Sequence, residues 1–452
     1  MKFPTQYQLL QRIASLVSEN RELKKRYQTL SDSYARLADE MENLRDQEPK
    51  PKNSLQTVRF EMATILFAEV KGLSNIMDSA DMMGYMDMLD QYFMRFQEIL
   101  KKYGLVKVRS IGDNYVCAGG IPRKNVTNPV AVTLAALEML NVIDSGQQKT
   151  WSVNIGIHTG SVIAGMEGEE QTTYSVKGDT VNVVSRIASV GKKNTVIISA
   201  TAYELVKELF DCAYTGRLPV KYQQQLELYK VKGVREEYSS GEKRRFSNEA
   251  FRTRFLLIQF GDLQEHILDM LEAQLPKNRF YHNVKHTVDV VTESELIGWA
   301  EGLDDHQLLL LKTAALFHDT GHIFSCDGHE ERSVEIARET LPAYGYSAGE
   351  INEICRIIMA TRLPPKPSDL LEAIICDSDL DYLGRADFIP VSNALYEEMK
   401  AQNKMTSLNE WNKMQLKFIS SHQYFTKTGR NLREVKKQEQ IARIKQLIEN
   451  NE

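Results

Sequence analysis

Leucines recur every seven residues near the start of the chain, at positions 9, 16, 23, 30, 37 and 44. Four residues after each of the first five stand Ile13, Asn20, Tyr27, Tyr34 and Met41. Both core positions of a heptad are therefore filled over five repeats, which predicts a parallel coiled coil over residues 1–47. Asn20 at a core position fixes the register and favours two strands, so the repeat predicts a homodimer. A single amphipathic helix packed on its own chain is the alternative.

Between Thr57 and about Gly233, strand-like and helix-like patterns alternate, which predicts an α/β domain over residues 55–235. The predicted elements are a strand over 58–68, an amphipathic helix over 78–103, hairpins over 105–118 and 151–164, and a helix over 181–190. The two hairpins are predicted because GDN and HTG have the composition of turns and stand between β-branched runs.

The polar stretch EYSSGEKRRFSNE at 236–248 predicts an interdomain linker. Beyond Phe251 the pattern is helical and predicts an all-α domain over residues 250–452, interrupted once by prolines at 364, 365 and 367. Single cores rarely exceed about 250–300 residues, so a chain of 452 residues fits this multidomain organisation.

Composition and charge exclude several classes of partner. The net charge of −5 and the pI near 6.1 give no electrostatic basis for binding nucleic acid or an anionic membrane. Apolar runs stay shorter than the ~18 residues of a membrane span, and the first residues lack the apolar core of a signal peptide. Five cysteines without a CxxC pair suit a reducing cytosol. We therefore expect a cytoplasmic protein with no nucleic-acid and no membrane partner.

Four blocks in the α/β region carry a family resemblance: ILFAEVKGLS, VKVRSIGDNYVCAGG, NIGIHTGSVIAG and YSVKGDTVNVVSRIAS. In this order and spacing they resemble the catalytic domain of class III nucleotidyl cyclases. The resemblance implies a ferredoxin-like α/β fold that works as a dimer with active sites at the subunit interface. It also implies that a nucleoside triphosphate is closed to a 3′,5′-cyclic nucleotide with release of pyrophosphate.

By this resemblance, Glu69 and Asp113 hold Mg²⁺ or Mn²⁺ ions, which activate the ribose 3′-hydroxyl and neutralise the phosphates. The family usually has aspartate at the first position. Glu69 reaches one methylene further, which favours Mn²⁺ over the geometrically demanding Mg²⁺; the alternative is a dead metal site. Asn182 is expected to orient the ribose and Arg186 to contact the α-phosphate, both from the chain opposite the carboxylates.

The residues implied to read the base are Arg109 and Ser175. They match neither the Lys with Asp or Thr of adenylate cyclases nor the Glu with Cys of guanylate cyclases. Arginine only donates hydrogen bonds, whereas serine donates or accepts them. Arg109 can therefore pair with adenine N1 and Ser175 with N6, whereas guanine would present donors to Arg109. ATP is favoured, a pyrimidine triphosphate stays open, and GTP ranks last.

A second set of blocks lies in the helical region, where eight of the nine histidines are found: YHNVKH, LFHDTGH, GHEER and ICDSDLDYLG. These blocks resemble the HD superfamily of metal phosphohydrolases, and the first is similar to the YHNxxH of its cyclic-nucleotide phosphodiesterases. The implied metal ligands are His286, His318, Asp319 and Asp379 for one ion, and His322 and His329 for a second ion bridged by Asp319. Zn²⁺, Mn²⁺, Fe or Mg²⁺ would suit these ligands. Asp377 or Asp381 could take the place of Asp379.

His282 stands one helical turn before His286, where the phosphodiesterases carry the general acid that protonates the leaving ribose oxygen. Residues 415–418 (QLKF) resemble the Gln-x-x-Phe with which those enzymes bind the base. Gln415 would pair with the base edge and Phe418 would stack on its face. A surface glutamine and a core phenylalanine would show the same spacing, and this is the alternative.

Taken together, the two resemblances predict a homodimeric enzyme that makes a cyclic nucleotide in one domain and hydrolyses a cyclic nucleotide in the other. The main alternative is an active phosphohydrolase regulated by a degenerate, nucleotide-binding cyclase domain. A non-catalytic sensor and a hydrolase of another phosphoester are the remaining alternatives.

Overall fold

The computed structural model describes residues 57–71, 82–145, 151–167, 173–220 and 225–449. The predicted coiled coil over 1–47 lies outside the described residues. The described residues from Val58 onwards belong to one compact unit, in which an α/β sheet domain is followed by an all-helical region.

Eight strands form one sheet in the order β2-β3-β1-β4-β6-β8-β7, with β5 paired to β4. The strands are β1 (Thr57–Lys71), β2 (Val106–Ile111), β3 (Asn114–Gly119), β4 (Ser152–Glu167), β5 (Thr173–Lys177), β6 (Thr195–Ser199), β7 (Phe210–Pro219) and β8 (Gln225–Val234). β1 with β3, β2 with β3, β4 with β5, and β8 with its two neighbours are antiparallel, whereas β4 and β6 are parallel.

Helices cover both faces of the sheet. They are α1 (Met82–Lys102), α2 (Asn128–Asp144), α3 (Asp179–Val190) and α4 (Ala200–Val206). Neighbouring residues of a strand point to opposite faces, and accordingly Val196 packs in the core with α1, α2 and α4, whereas Ile197 packs with Ile187 of α3. The helix that carries Asn182 and Arg186 therefore lies alone among these four on its face of the sheet.

The hairpin predicted over 151–164 is wrong, because these residues belong to the single long strand β4. Gly156 and Gly160 do not form a turn in this strand; they lie where α3 comes close to it. A Cβ added to Gly156 would lie 2.6 Å from both the Ala188 nitrogen and the Val184 oxygen of α3. The lack of a side chain at this position therefore allows α3 to pack directly on β4. The other predicted hairpin is correct, since β2 and β3 pair across Gly112 and Asp113.

The predicted linker at 236–248 is folded. It forms a small hairpin from β9 (Ser239–Ser240) and β10 (Phe246–Ser247), and Arg245 makes an ion pair of 2.6 Å with Asp144 of α2.

The helix that follows belongs to both cores. In α5 (Glu249–Gln274), Phe251 packs edge-on against Phe210 of the sheet domain at 5.8 Å, whereas Leu256 lies in the helical core. Further along α5, Asp262 accepts a hydrogen bond of 2.9 Å from the Val126 N–H before α2.

The helical region continues with α6 (Val284–Glu301), α7 (Asp305–Phe317), α8 (His329–Thr340), α9 (Ala348–Met359), α10 (Leu370–Asp379), α11 (Phe388–Ala401), α12 (Leu408–Ser421) and α13 (Lys427–Glu449). Its core surrounds α7, whose sequence LLLLKTAALF is apolar on nearly all sides and therefore buried. Because His318 and Asp319 follow the last residue of α7, this helix delivers both side chains to the interior. Across the described ranges, no helix combines the length and apolar character needed to cross a membrane.

Gly156→Ala should lower the free energy of unfolding by about 1–3 kcal/mol, because the new methyl group would force α3 away from β4. Gly261→Ala is the matched control: Gly261 is an exposed residue of α5 with open space at its Cβ position, so alanine should stabilise by about 0.5–1 kcal/mol. Urea unfolding of both variants measures the difference. Similar effects of the two substitutions would contradict the packing role of Gly156.

Candidate active sites

The two residues predicted to bind metal in the sheet domain lie close together along the backbone. Glu69 at the end of β1 pairs with Asn114 of β3, and the Val70 N–H donates to the Asp113 carbonyl oxygen at 2.9 Å. Gly112 adopts a positive φ of 57°, which closes the tight turn that presents Asp113. Lys71 Nζ lies 3.1 Å from Glu69 Oε2, an ion-pair distance without hydrogen-bond geometry. The structure thus brings Glu69, near the end of β1, next to the β2–β3 turn that carries Asp113.

Asn182 and Arg186 are exposed on the same face of α3, one turn apart. The start of α3 is fixed to β4 by the Thr180 hydroxyl, which donates to the Ser161 carbonyl oxygen at 2.7 Å. The Arg186 guanidinium donates to the Pro219 carbonyl oxygen.

A cavity of about 550 Å³ connects this helix with the predicted base-reading strand. Its lining includes Arg109, Lys177, Asp179 and Asn182, whereas Ser175 lies half-buried on β5 beside it. A bulge in β2 immediately precedes Arg109, and such bulges re-aim side chains. Neither Glu69 nor Asp113 lines this cavity. The predicted residues of the cyclase site therefore do not all line this one cavity.

In the helical region, the predicted ligands of the first metal converge. The His286 Nε2 atom lies 3.3 Å from Asp319 Oδ2, 3.2 Å from Asp379 Oδ1 and 3.4 Å from the His318 Nε2 atom. Ligand atoms that share one cation at about 2.0–2.2 Å stand this far apart. The mutual spacing of these four side chains is therefore the spacing expected for ligands of a single ion.

Backbone contacts orient these side chains. Asn283 caps α6 by accepting hydrogen bonds from the Lys285 and His286 N–H groups, which sets His286 in the first turn. The His318 Nδ1 atom donates to the Ala315 carbonyl oxygen at 2.8 Å, and this fixes the tautomer with its lone pair on Nε2, towards the cluster.

Asp319 faces two groups of side chains with its two oxygens. Oδ2 lies 3.3 Å from the Nε2 atoms of both His286 and His318, in neither case as a hydrogen bond. Oδ1 lies 3.4 Å from His329 Nε2 and 3.8 Å from His322 Nε2. His322 is buried, and neither of its ring nitrogens has a hydrogen-bond partner among the described residues. A carboxylate placed in this way is suited to bridge two cations.

The electrostatics of the cluster favour bound positive charge. Burial disfavours protonation of His286 and His318 and ionisation of Asp319 and Asp379. The contacts between imidazoles and carboxylates outweigh burial, so the pKa values of both histidines are raised and those of both aspartates are lowered. Divalent cations would supply this charge without protonating the rings.

The neighbours of Asp379 are occupied elsewhere. Asp377 accepts hydrogen bonds from the Phe425 and Thr426 N–H groups, both at 2.8 Å. Asp381 is paired with Arg433. Of the three aspartates, Asp379 is the one that faces the histidines.

Glu398 is a site residue that sequence reasoning missed. This buried carboxylate on α11 accepts a hydrogen bond of 2.7 Å from His282 Nδ1, and bonds from the Tyr281 and His282 N–H groups at 3.0 and 3.1 Å. Burial would raise its pKa, but these hydrogen bonds outweigh burial and lower it. Glu398 therefore leaves Nε2 as the free nitrogen of His282.

Gln415 and Phe418 lie further from the cluster. A cavity of about 240 Å³ opens onto His286 and Asp379, and its wall includes Tyr382 but neither Gln415 nor Phe418. Gln415 is buried beside Tyr382, and its Oε1 atom has no hydrogen-bond partner in the described part of the chain. Phe418 is half-buried and packs in the adjoining hydrophobic cluster.

Comparisons with known proteins identify both regions. Residues 55–233 match the family model of the adenylate and guanylate cyclase catalytic domain, and residues 283–382 match that of the HD domain. The receptor-type guanylate cyclase gcy-13 of Caenorhabditis elegans is 30% identical over 41% of this chain and 19% of its own length. The adenylate cyclase of Mycobacterium bovis is 29% identical over 38% of this chain and 40% of its own length. The chain thus spans less than half the length of these curated relatives.

Among solved structures, two similar ones are both cyclase domains. The catalytic core of a rhodopsin-guanylyl cyclase with converted specificity, in complex with ATPαS, is 25% identical, with a TM-score of 0.37 over 39% of this chain and 97% of that one. The adenylyl cyclase CyaB from P. aeruginosa is 24% identical, with a TM-score of 0.37 over 40% of this chain and 98% of that one. From the two domain matches, we conclude that this chain contains an adenylate and guanylate cyclase catalytic domain followed by an HD domain.

Proposed function

We propose that this protein is a bifunctional enzyme of cyclic-nucleotide signalling. Its cyclase domain closes a nucleoside triphosphate, with ATP favoured, to a 3′,5′-cyclic nucleotide and pyrophosphate. Its HD domain hydrolyses a cyclic nucleotide to the 5′-monophosphate. The proposal is supported by two features of one chain: Glu69 and Asp113 lie on adjacent parts of the β1–β3 pairing, and histidines and aspartates cluster around Asp319.

In the cyclase domain, Glu69 and Asp113 would hold Mg²⁺ or Mn²⁺, which supplies the charge that a triphosphate requires. Arg109 and Asn182 share a cavity that excludes both carboxylates, so one chain offers two half-sites. A second copy would bring the carboxylates of one chain to the Asn182 and Arg186 of the other. The heptad repeat over 1–47 supports such a homodimer because it would keep two copies at high local concentration.

Base selection would rest on Arg109 and Ser175. The Arg109 guanidinium is exposed beside the cavity and donates only, which suits the N1 acceptor of adenine. The Ser175 hydroxyl can accept from the N6 amino group. A guanine would leave its N1–H opposite a donor, and such unpaired polar groups are costly in a closed site.

In the HD domain, His286, His318, Asp319 and Asp379 would hold one cation, and Asp319, His322 and His329 a second. Zn²⁺, Mn²⁺, Fe or Mg²⁺ at these positions would neutralise the phosphate and lower the pKa of a water nucleophile. His282 Nε2 then donates a proton to the leaving ribose oxygen. Glu398 orients His282 through the Nδ1 hydrogen bond.

A product screen tests the proposal. Purified protein is incubated with each of the four nucleoside triphosphates and Mn²⁺ or Mg²⁺, and separately with each 3′,5′-cyclic nucleotide, and products are separated by chromatography. We expect cyclic AMP from ATP and a 5′-monophosphate from at least one cyclic nucleotide. Hydrolysis without any cyclic product would favour the alternative, an active phosphohydrolase regulated by a degenerate cyclase domain. The presence of Glu69 where the family usually has aspartate favours that alternative.

Glu398→Gln should reduce cyclic-nucleotide hydrolysis by about 10²-fold, because His282 loses the carboxylate that orients it. Cleavage of bis(p-nitrophenyl) phosphate should change little, since its leaving group needs no proton. Steady-state rates on both substrates measure the contrast. Glu397→Gln, an exposed neighbour on the same helix, is the matched control. Equal loss on both substrates would assign Glu398 a general structural role instead.

A further inference from the structure

A thiol stands beside the proposed second cation position and has no role in the proposed function. A ring nitrogen of His322, the Cys326 Sγ atom and a carboxylate oxygen of Glu398 all lie within 4.8 Å of one another. Cys326 belongs to the loop between the turn at Thr320–Ile323 and α8, and its side chain is partly buried. We propose that Cys326 is a sulfur ligand of a divalent cation that His322 also binds.

His322 supplies the independent reason to expect a cation here. Its side chain is 3% exposed, yet within the described ranges neither ring nitrogen finds a hydrogen-bond partner. A buried polar group without a partner is destabilising. A cation at the ring lone pair would satisfy the nitrogen that no N–H or O–H group reaches.

The separation of the thiol from His322 allows a shared ion. With metal–sulfur bonds of about 2.3 Å and metal–nitrogen bonds of about 2.0–2.1 Å, two ligand atoms stand at most about 4.4 Å apart, on opposite sides of the cation. The Cys326 sulfur and the His322 ring nitrogen lie within 4.8 Å of each other, so a small side-chain adjustment brings both to one cation. Both Glu398 oxygens accept hydrogen bonds from residues 281–282, so Glu398 stays with His282. As the sulfur–metal bond forms, the thiol proton is released to solvent.

The loop is held in place at this position. The His329 Nδ1 atom donates to the Cys326 carbonyl oxygen at 2.9 Å, so the backbone of Cys326 orients one histidine while its side chain points a sulfur at another. The Ser325 hydroxyl closes the loop by donating to the Asp327 carbonyl oxygen at 2.9 Å. Burial raises the pKa of the Cys326 thiol, and the positive charge of the nearby Arg279 guanidinium partly opposes this rise.

The other two thiols of the helical region do not join such a group. Cys376 donates its S–H to the Ala360 carbonyl oxygen at 3.1 Å, and Cys355 is buried in the apolar core. A sulfur ligand favours Zn²⁺, Co²⁺, Fe²⁺ or Cd²⁺ over Mg²⁺. The inference, which rests on the proposed metal-dependent function of the HD domain, thus restricts the ions that this site would accept.

Cobalt titration of the full-length, chelator-treated protein tests the ligand directly. Thiolate bound to Co²⁺ gives a sulfur-to-cobalt charge-transfer absorption in the near ultraviolet. We expect this band in the wild type and in Cys376→Ser, the control for the thiol three residues from Asp379, and its loss in Cys326→Ser. No band at saturating Co²⁺, or a band that persists in Cys326→Ser, would overturn the inference.

Hydrolysis of cyclic nucleotides is measured on the same cobalt-loaded samples. A charge-transfer band that depends on Cys326, in protein that hydrolyses none of the cyclic nucleotides, would uphold the sulfur ligand and refute the proposed hydrolase. Hydrolysis without the band would do the reverse. Circular dichroism of Cys326→Ser, with the wild-type spectrum as reference, separates loss of the ligand from loss of the fold.

Discussion

Asp319→Ala should lower cyclic-nucleotide hydrolysis by at least about 10³-fold while leaving synthesis intact, so that full-length protein supplied with ATP accumulates its cyclic product. The expected loss is large because each oxygen of Asp319 faces a different group of histidines. Removing the carboxylate would deprive both proposed cations of a ligand and leave buried imidazoles without their counter-charge. A time course of cyclic product and monophosphate, with metal content by mass spectrometry, measures the effect.

Asp327→Ala provides the matched control for this substitution. The Asp327 carboxylate lies eight residues after Asp319 in the same segment, but it is 91% exposed. It forms an ion pair with Lys404 on the surface, where such pairs contribute little. We expect wild-type hydrolysis and metal content from this variant. Unchanged hydrolysis in Asp319→Ala would remove the cluster from consideration as the hydrolytic site.

The HD cluster could be predicted from sequence because its residues stand at the ends of helices, with local spacings that survive folding. His318 and Asp319 follow the end of the apolar helix α7, and His286 lies in the first turn of the capped helix α6. The sequence around Glu398 contains no comparable pattern. It lies 116 residues from His282, and a glutamate on an amphipathic helix is ordinarily exposed. Only the fold shows that its carboxylate is buried against the backbone of 281–282.

The strand β4 shows why sequence reasoning failed elsewhere. Glycine marks a tight turn in some strands and a close approach of another backbone in others, and the local sequence is the same in both cases. At Gly160, the glycine of HTG, the close neighbour is Thr180 of α3, whose Oγ1 atom would lie 2.8 Å from an added Cβ. The local sequence HTG predicts a hairpin because it contains no information about this distant neighbour.

The domain junction departs from expectation for a related reason. Charged, polar composition predicted a linker at 236–248, but Arg245 finds Asp144 at 2.6 Å and Arg244 finds Asp211 at 3.1 Å in the sheet domain. Long-range ion pairs of this kind cannot be inferred from composition. The first turns of α5 pack in both cores, so this helix joins the two regions directly.

Asp113→Ala and Arg186→Ala should each abolish synthesis, yet co-expression of the two should restore about one quarter of wild-type activity. The reason is that the proposed half-sites combine across two chains. A mixed dimer would pair the intact carboxylates of the Arg186→Ala chain with the intact Asn182 and Arg186 of the other. Half of randomly formed dimers are mixed, and each holds one of two sites. The assay is run in the Asp319→Ala background, so that hydrolysis does not consume the product.

The level of recovery separates two arrangements of the same residues. If one chain used its own Glu69 and Asp113 with its own Asn182 and Arg186, every chain in the mixture would lack an essential group, and co-expression would recover nothing. The cavity that holds Arg109 and Asn182 without either carboxylate argues against that arrangement. Cleavage of cyclic nucleotide by each single variant in an otherwise wild-type chain is the control for folding, because the cluster around Asp319 lies wholly within the helical region.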